Sequence, residues 1–185
     1  MLFDRMMRAA RLDVGLYEEV EADQTATSQA ATVVGIAAVC GAIGTGVAAV
    51  TQGNSGQAVL GAIASLVAAF LGWVLWSYIT YWVGTSIFKG TATPGEMLRT
   101  IGFAQTPGVL NILAFIPVVG GLIGIVVAIW ALVAGVIALR QALDISTGQA
   151  VITAIIGFIP YFLLLCLVGA IVGGAGSLLG GLTGR

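Results

Sequence analysis

The sequence contains very little charge. Only 8 % of its 185 residues are charged, whereas 59 % are hydrophobic and the mean hydropathy is +1.08. Water-soluble domains carry roughly 25 % charged residues, so this composition excludes a water-soluble globule. We expect an integral membrane protein, and the length suits one bundle of about four to six helices that cross the bilayer.

The groups that most enzymes use are also scarce. There is no histidine, and the two cysteines, Cys40 and Cys166, lie far apart within apolar runs. This spacing excludes a disulfide framework or a zinc pattern that could be recognised from the sequence. We therefore expect no enzyme activity, no catalytic residue, no metal and no cofactor. The net charge of −1 provides no basic surface for a nucleic acid.

Long stretches without charge take the place of these groups. Residues 24–88, 100–139 and 145–184 contain no charged side chain, and about 20 residues of helix cross the hydrocarbon core. Turn signals at TQGNSGQ and IPVVGG divide these stretches further. The pattern predicts an all-α bundle with an N-terminal arm of residues 1–25 and five spans. The predicted spans are residues 26–50, 58–88, 98–116, 119–143 and 150–172, and the glycine-rich tail GGAGSLLGGLTGR is not predicted to form a sixth.

The basic residues predict an orientation. With five spans and a cytoplasmic N-terminus, six of the seven basic residues fall on the cytoplasmic side and only Arg185 falls outside. The positive-inside rule therefore favours a cytoplasmic N-terminus and an external C-terminus. In the arm, Arg5, Arg8 and Arg11 share one helix face opposite an apolar face. This pattern predicts an amphipathic interfacial helix with its arginines near anionic headgroups.

The segment FKGTATPGEMLRTIGFAQTP, residues 88–107, concentrates polar residues between two apolar runs. Thr93-Pro94 followed by Glu96 predicts a helix start, and Pro107 predicts a break in the third span. The break is either a kink whose amides bond to neighbouring helices or an interrupted helix that exposes polar groups to a substrate. Glu96 with Arg99, and Arg140 with Asp144, have the spacing of local ion pairs. The candidate docking and hinge residues are Lys89, Glu96, Arg99, Gln105, Pro107, Asn111, Arg140 and Asp144.

Small and aromatic residues within the apolar runs predict close helix packing. The motifs GAIGTG (41–46), GGLIG (120–124) and GGAG (173–176) place small residues on helix faces, where they let backbones approach. Trp73 and Trp76 lie deep in the second span, where we expect them to pack within the bundle.

Several segments together carry a family resemblance. They are YEEVEAD before the first span, FKGTATPGEMLRTIGFAQTP after the second, and IPVVGG followed by IWALVAGVIALRQAL. With these segments the chain resembles the bacterial branch of the Yip family over nearly its whole length. The resemblance implies a five-span bundle with a cytoplasmic N-terminus, expected here in a bacterial inner membrane. Eukaryotic relatives bind prenylated small GTPases and help to shape or traffic membranes. This chain has no counterpart of their Asp-Leu-Trp-Gly-Pro-like motif, so GTPase binding is not carried over to it.

Two functional hypotheses follow. The first is a non-enzymatic membrane scaffold or accessory subunit, embedded in the lipid bilayer and in contact with other membrane proteins or a second copy of itself. The alternative is a small transporter or lipid-handling protein that uses the proline-broken third span.

Overall fold

The protein is an all-α bundle, as the sequence predicts. The computed structural model describes residues 1–53 and 55–182, and every regular element within these ranges is a helix. The elements are α1 (Leu2–Ala10), α2 (Val14–Ala22), α3 (Ala26–Thr51), α4 (Ser55–Phe88), α5 (Pro94–Ala104), a 3₁₀ helix (Thr106–Phe115), α6 (Val119–Leu143) and α7 (Thr147–Leu182). The first part of the glycine-rich tail prolongs α7, whereas residues 183–185 of that tail lie outside the described ranges.

Four of these helices are long and apolar enough to cross a membrane. The stretches are Ala26–Thr51, Ala58–Phe88, Val119–Leu143 and Thr147–Ile171. The third predicted span, residues 98–116, differs because it consists of most of α5 followed by the 3₁₀ helix. We call the side of the bundle where α1, α2 and the turns after α4 and α6 lie the arm side, and the opposite side the far side.

On the arm side, α4 extends well beyond the start of α3. Ala30, near the beginning of α3, lies against Gly102 of α5, whose other close neighbour is the indole of Trp73. From Trp73 to Phe88, α4 continues for about 22 Å at 1.5 Å per residue. In this region α2 packs against α5 and α6, so the arm is an integral part of the bundle at this end.

The third segment spans the same height as α3 with fewer residues. Gly102 lies beside Ala30, and the carbonyl of Ile112 lies beside Gly44. The stretch of α3 from Ala30 to Gly44 is about 21 Å long, whereas an α-helix from Gly102 to Ile112 would reach only about 15 Å. A 3₁₀ helix rises about 2.0 Å per residue. The change to 3₁₀ geometry at Thr106 therefore recovers about half of the missing length.

The glycine motifs contribute single close contacts rather than whole packing faces. A Cβ at Gly44 would overlap the carbonyl oxygen of Asn111, and a Cβ at Gly120 would overlap the carbonyl oxygen of Ala114. By contrast, Gly46, Gly121 and Gly124 have open space where a Cβ would lie, so they make no close contact within the described part of the chain. In GGAG, Gly174 also faces open space; the side chains of residues 173, 175 and 176 lie outside the described part of the chain.

Aromatic rings pack against glycines that lie outside the three glycine motifs. The indole of Trp76 lies against Gly135 of α6 and Gly157 of α7, and the ring of Tyr161 covers Gly72 of α4. Trp73 is 7 % exposed, and its Nε1 donates a hydrogen bond to the carbonyl oxygen of Leu98 at 3.0 Å. Both tryptophans therefore pack within the bundle, as expected.

We predict that Gly44→Ala destabilises the bundle whereas Gly46→Ala does not. A methyl group at residue 44 meets a backbone carbonyl that cannot rotate away, and overpacking of this kind costs about 1–3 kcal/mol. At residue 46 the methyl group has space, and alanine is about 1 kcal/mol more favourable than glycine within a helix. Thermal unfolding in detergent, followed by circular dichroism, compares the two matched variants. Equal melting temperatures for the two would contradict the close contact at Gly44.

Candidate functional site

The polar residues singled out by the sequence fall into two groups in the structure. The first group lies on the arm side, where α4 and α6 end and α5 begins, and consists of Lys89, Glu96, Arg99, Arg140 and Asp144. The second group lies where α5 gives way to the 3₁₀ helix and consists of Gln105, Pro107 and Asn111. The first group therefore lies at the arm-side end of the third segment and the second group lies near its middle.

Arg99 fastens α2 to the rest of the bundle. The residue is only 6 % exposed. Its Nε donates to the carbonyl oxygen of Val20 at 2.9 Å, and its Nη2 donates to the carbonyl oxygen of Glu21. The last carbonyls of a helix lack partners within that helix, and a cation there also interacts favourably with the helix dipole. Arg99 thus caps a helix that lies nearly 80 positions earlier in the sequence.

Glu96 stabilises the start of α5. Its carboxylate accepts a hydrogen bond from the backbone N–H of Thr93 at 2.7 Å, while the Thr93 hydroxyl accepts one from the N–H of Glu96 at 3.3 Å. This reciprocal arrangement is a capping box, with Pro94 at the first helical position, and it confirms the predicted helix start. The expected Glu96–Arg99 ion pair does not form, because Arg99 points to α2 instead.

The turns after α4 and α6 are joined to each other. Lys89 and Asp144 both have left-handed backbone conformations, with φ of 61° and 53°. The hydroxyl of Thr91 donates to Oδ2 of Asp144 at 2.9 Å, and the N–H of Thr91 donates to the carbonyl oxygen of Leu143 at 3.2 Å. Lys89 itself is exposed, and its Nζ donates to the carbonyl oxygen of Ser86.

Arg140 takes part in a short polar chain that ends on the arm. Its Nε donates to Oε1 of Gln141 at 2.9 Å, and Nε2 of Gln141 donates to Oε1 of Glu18 at 2.8 Å. The expected ion pair between Arg140 and Asp144 therefore does not form either. The cause is the left-handed turn at Asp144, which ends α6 and breaks the regular i,i+4 geometry.

At the predicted hinge, Pro107 explains the change of helix type. Proline has no N–H, so the carbonyl four residues earlier loses its α-helical donor. The carbonyl oxygen of Phe103 instead accepts a hydrogen bond from the hydroxyl of Thr106 at 2.7 Å. The N–H of Gly108 then donates to the carbonyl oxygen of Gln105 at 2.9 Å, which is the three-residue spacing of a 3₁₀ helix.

The two amides near this hinge do not make the hydrogen bonds that the kink interpretation expects. Within the described part of the chain, the side chains of Gln105 and Asn111 have no hydrogen-bond partner. Both residues are half-buried, and the Cβ of Asn111 lies beside Gly41 of α3. The polar ends of these side chains are therefore available at the break.

The arm is held together by ion pairs that its sequence alone did not reveal. Nη2 of Arg5 lies 2.9 Å from carboxylate oxygens of both Glu19 and Asp23, and Nε of Arg8 lies 2.7 Å from Oδ2 of Asp13. Hydrogen bonds from Arg8 hold the pKa values of Asp13 and Glu19 below their usual range. Arg5 and Arg8 thus pair with acids of α2 and of the residues that flank it, and their predicted position near lipid headgroups stays a prediction.

The apolar side of α1 is divided between the core and the outside. Phe3 is 74 % exposed and Met7 is 40 % exposed, whereas Leu2 and Met6 pack against the core. Arg11 lies just after α1 and is exposed, so its predicted position near headgroups stays a prediction. The indole Nε1 of Trp130 donates to the carbonyl oxygen of Ala10 at 2.9 Å and fixes the end of α1 on α6.

Glu21 has the most perturbed carboxyl group of the arm. The residue is half-buried at the end of α2. Burial, together with the carboxylates of Glu96 and Asp144, raises its pKa from an ordinary value of 4.5 to about 7, against the opposing effect of Arg99. No local spacing in the sequence singles out Glu21, because the acids near it come from α5 and the end of α6.

Comparison with known proteins identifies a family. A family model described as the Yip1 domain matches residues 17–180, a range that begins within α2 and ends within α7. No curated protein and no solved structure matches the chain.

We predict that Arg99→Lys loosens the arm, whereas the matched exchange Lys89→Arg does not. Lysine lacks the planar fork that lets Arg99 reach two carbonyls. Losing one hydrogen bond to a charged group costs about 1.5 kcal/mol or more, which is about a tenfold increase in the population of the open arm. Trypsin cleavage after Arg8 and Arg11 measures that population. The expectation fails if both variants are cleaved at the rate of the unaltered protein.

Proposed function

The chain belongs to the Yip1 domain family and carries helices long enough to cross a membrane, and from this premise we propose that it is a non-enzymatic membrane scaffold or accessory subunit. It acts through lateral packing of its helices and through a docking surface on the arm side. The lipid bilayer contacts its apolar faces, and the partners are other membrane proteins or a second copy of the chain.

The proposal is supported by the way polar and apolar side chains are distributed over the surface. Polar side chains gather on the arm side, where hydrogen bonds from Thr91, Arg99 and Gln141 fix the arm and the turns in place. The lateral faces are apolar, with exposed side chains such as Ile125 and Ile155. Within the described residues no group of histidine, cysteine or acidic side chains could hold a metal ion. This arrangement supports binding rather than catalysis.

A groove between α4 and α7 supports the lateral part of the proposal. It has a volume of about 340 Å³, and small residues make up much of its lining. The lining includes Gly61, Ala64, Ala68, Tyr161 and Gly169. Small residues at such positions let a further helix approach closely within a membrane, so we propose that a transmembrane helix of the partner occupies this groove.

We further propose that the arm side faces the cytoplasm of a bacterial inner membrane and that the chain crosses this membrane five times. In that orientation all the basic residues up to Arg140 lie inside, in agreement with the positive-inside rule. The third crossing is made by α5 and the 3₁₀ helix, whose combined length of about 38 Å matches that of α3.

Filling the groove provides the test. Gly61 and Gly169 both have open space at the position of a Cβ, so we expect leucine at either position to fill the groove without displacing a neighbouring helix. We expect Gly61→Leu and Gly169→Leu to abolish co-purification of the partner or the second copy from mild detergent. The control is Gly124→Leu on α6, which has equal space but lies outside the groove. A clean, solitary monomer of the unaltered protein, or association that survives both groove variants, would refute the lateral packing proposal.

One observation favours a second candidate, a small transporter or lipid-handling protein. The third segment is interrupted, and the amides of Gln105 and Asn111 lie at the interruption without a hydrogen-bond partner in the described part of the chain. Interrupted helices with free polar groups are typical of substrate sites in transporters.

For this candidate we predict that Gln105→Leu or Asn111→Leu abolishes flux and leaves the melting temperature unchanged. The assay uses proteoliposomes with H⁺, Na⁺, K⁺ and a fluorescent phospholipid as probes. Flux that both variants retain, or no flux by the unaltered protein for any probe, removes the candidate.

A further inference from the structure

The end of α2 gathers acidic side chains from three parts of the chain. Arg99 of α5 donates to the carbonyl oxygen of Glu21, so Glu96, one turn earlier on α5, lies near this end of α2. Asp144 ends α6, which also packs against α2, and Glu18 lies one turn before Glu21 on α2. The positive charge among them is that of Arg99, whose guanidinium donates to the backbone of α2 rather than to a carboxylate. These groups are the charged neighbours of Glu21 from the elements packed against it.

The neighbouring acids are held in place and cannot relieve repulsion by rotating away. Glu96 is fixed by its hydrogen bond from the N–H of Thr93 at 2.7 Å, and Asp144 by its hydrogen bond from the hydroxyl of Thr91 at 2.9 Å. Glu18 is held by Gln141. An ionised Glu21 in the docked arm would therefore add a fourth negative charge to a fixed set, and like charges at close range are destabilising.

We propose that α2 is a pH-responsive latch. It is docked most firmly while the carboxyl group of Glu21 is protonated, and it loosens as that group ionises opposite Glu96 and Asp144. Loosening uncovers the surface of α5 and α6 on which Leu16, Tyr17 and Val20 are fully buried. The proposal concerns the arm alone and stands whether or not the docking function is correct.

The direction of the pH effect follows from the two states. In the docked arm the pKa of Glu21 is about 7, and in a released arm it returns to its ordinary value of 4.5. Docking is therefore unaffected by this group below about pH 4 and weakens as the pH rises from 5 to 8. Asp13 and Glu19 act in the opposite sense, because their pKa values are lowered by Arg8 and their ion pairs are lost in acid. Docking is firmest at mildly acidic pH.

Hydrogen exchange of the full chain in lipid nanodiscs tests the latch. The opening constant of residues 14–22 is measured between pH 5.5 and 8, after correction for the intrinsic pH dependence of exchange. We expect it to rise at least about tenfold, since each unit of pKa shift corresponds to a factor of ten. Glu21→Gln, which imitates the protonated carboxyl group, should hold the opening constant low and flat over the same range.

Two further variants keep the test decisive. Glu96→Gln removes one opposing charge while glutamine preserves the capping box, so it should reduce the pH dependence without loosening α5. Asp4→Asn on α1 removes an acid that does not face Glu21 and should leave the pH dependence intact. A flat opening constant in the unaltered protein, or a pH dependence that survives Glu21→Gln, overturns the proposal.

Discussion

The arm side depends on one interaction, the double donation of Arg99 to the last carbonyls of α2. Those carbonyls lie at the end of a helix in a largely apolar setting, where an unsatisfied acceptor is costly. Arg99 satisfies them from α5, and in doing so it is unavailable for its sequence neighbour Glu96. Glu96 then caps α5, and Asp144 pairs with Thr91. Glu21, Glu96 and Asp144 have no ion-pair partner within the described part of the chain. Burial, together with the neighbouring carboxylates of Glu96 and Asp144, raises the pKa of Glu21.

A second constraint comes from the short third segment. It runs beside α3 with too few residues to match it as an α-helix, and the 3₁₀ geometry from Thr106 onward supplies about half of the missing length. Close contact with α3 is possible only because Gly44 leaves room for the backbone of residues 111 and 112. Pro107, the 3₁₀ geometry and Gly44 together therefore allow the short third segment to run beside α3.

The candidate site was only partly predictable. The capping box at Thr93 and Glu96 follows from residues three apart, and such local patterns are visible in a sequence. The two expected ion pairs also had suitable spacing, yet neither formed, because Arg99 found acceptors on α2 and Asp144 adopted a left-handed turn. The spacing of two residues along a helix shows whether their side chains can meet. It does not show which residues of distant segments compete for the same hydrogen bonds.

By itself, the sequence determined that this is an all-α membrane protein and which family it resembles. It also placed the bounds of its long helices to within a few residues, except that α7 continues to Leu182. These features depend on apolar length and local helix chemistry, which are additive along the chain. The tertiary structure alone decided that the arm packs into the bundle, that Arg5 and Arg8 pair with acids at α2, and that Glu96 and Asp144 lie near Glu21. Each of these depends on the relative height and rotation of the helices. Single long-range contacts, such as those of Arg99, Trp130 and Gly44, determine both.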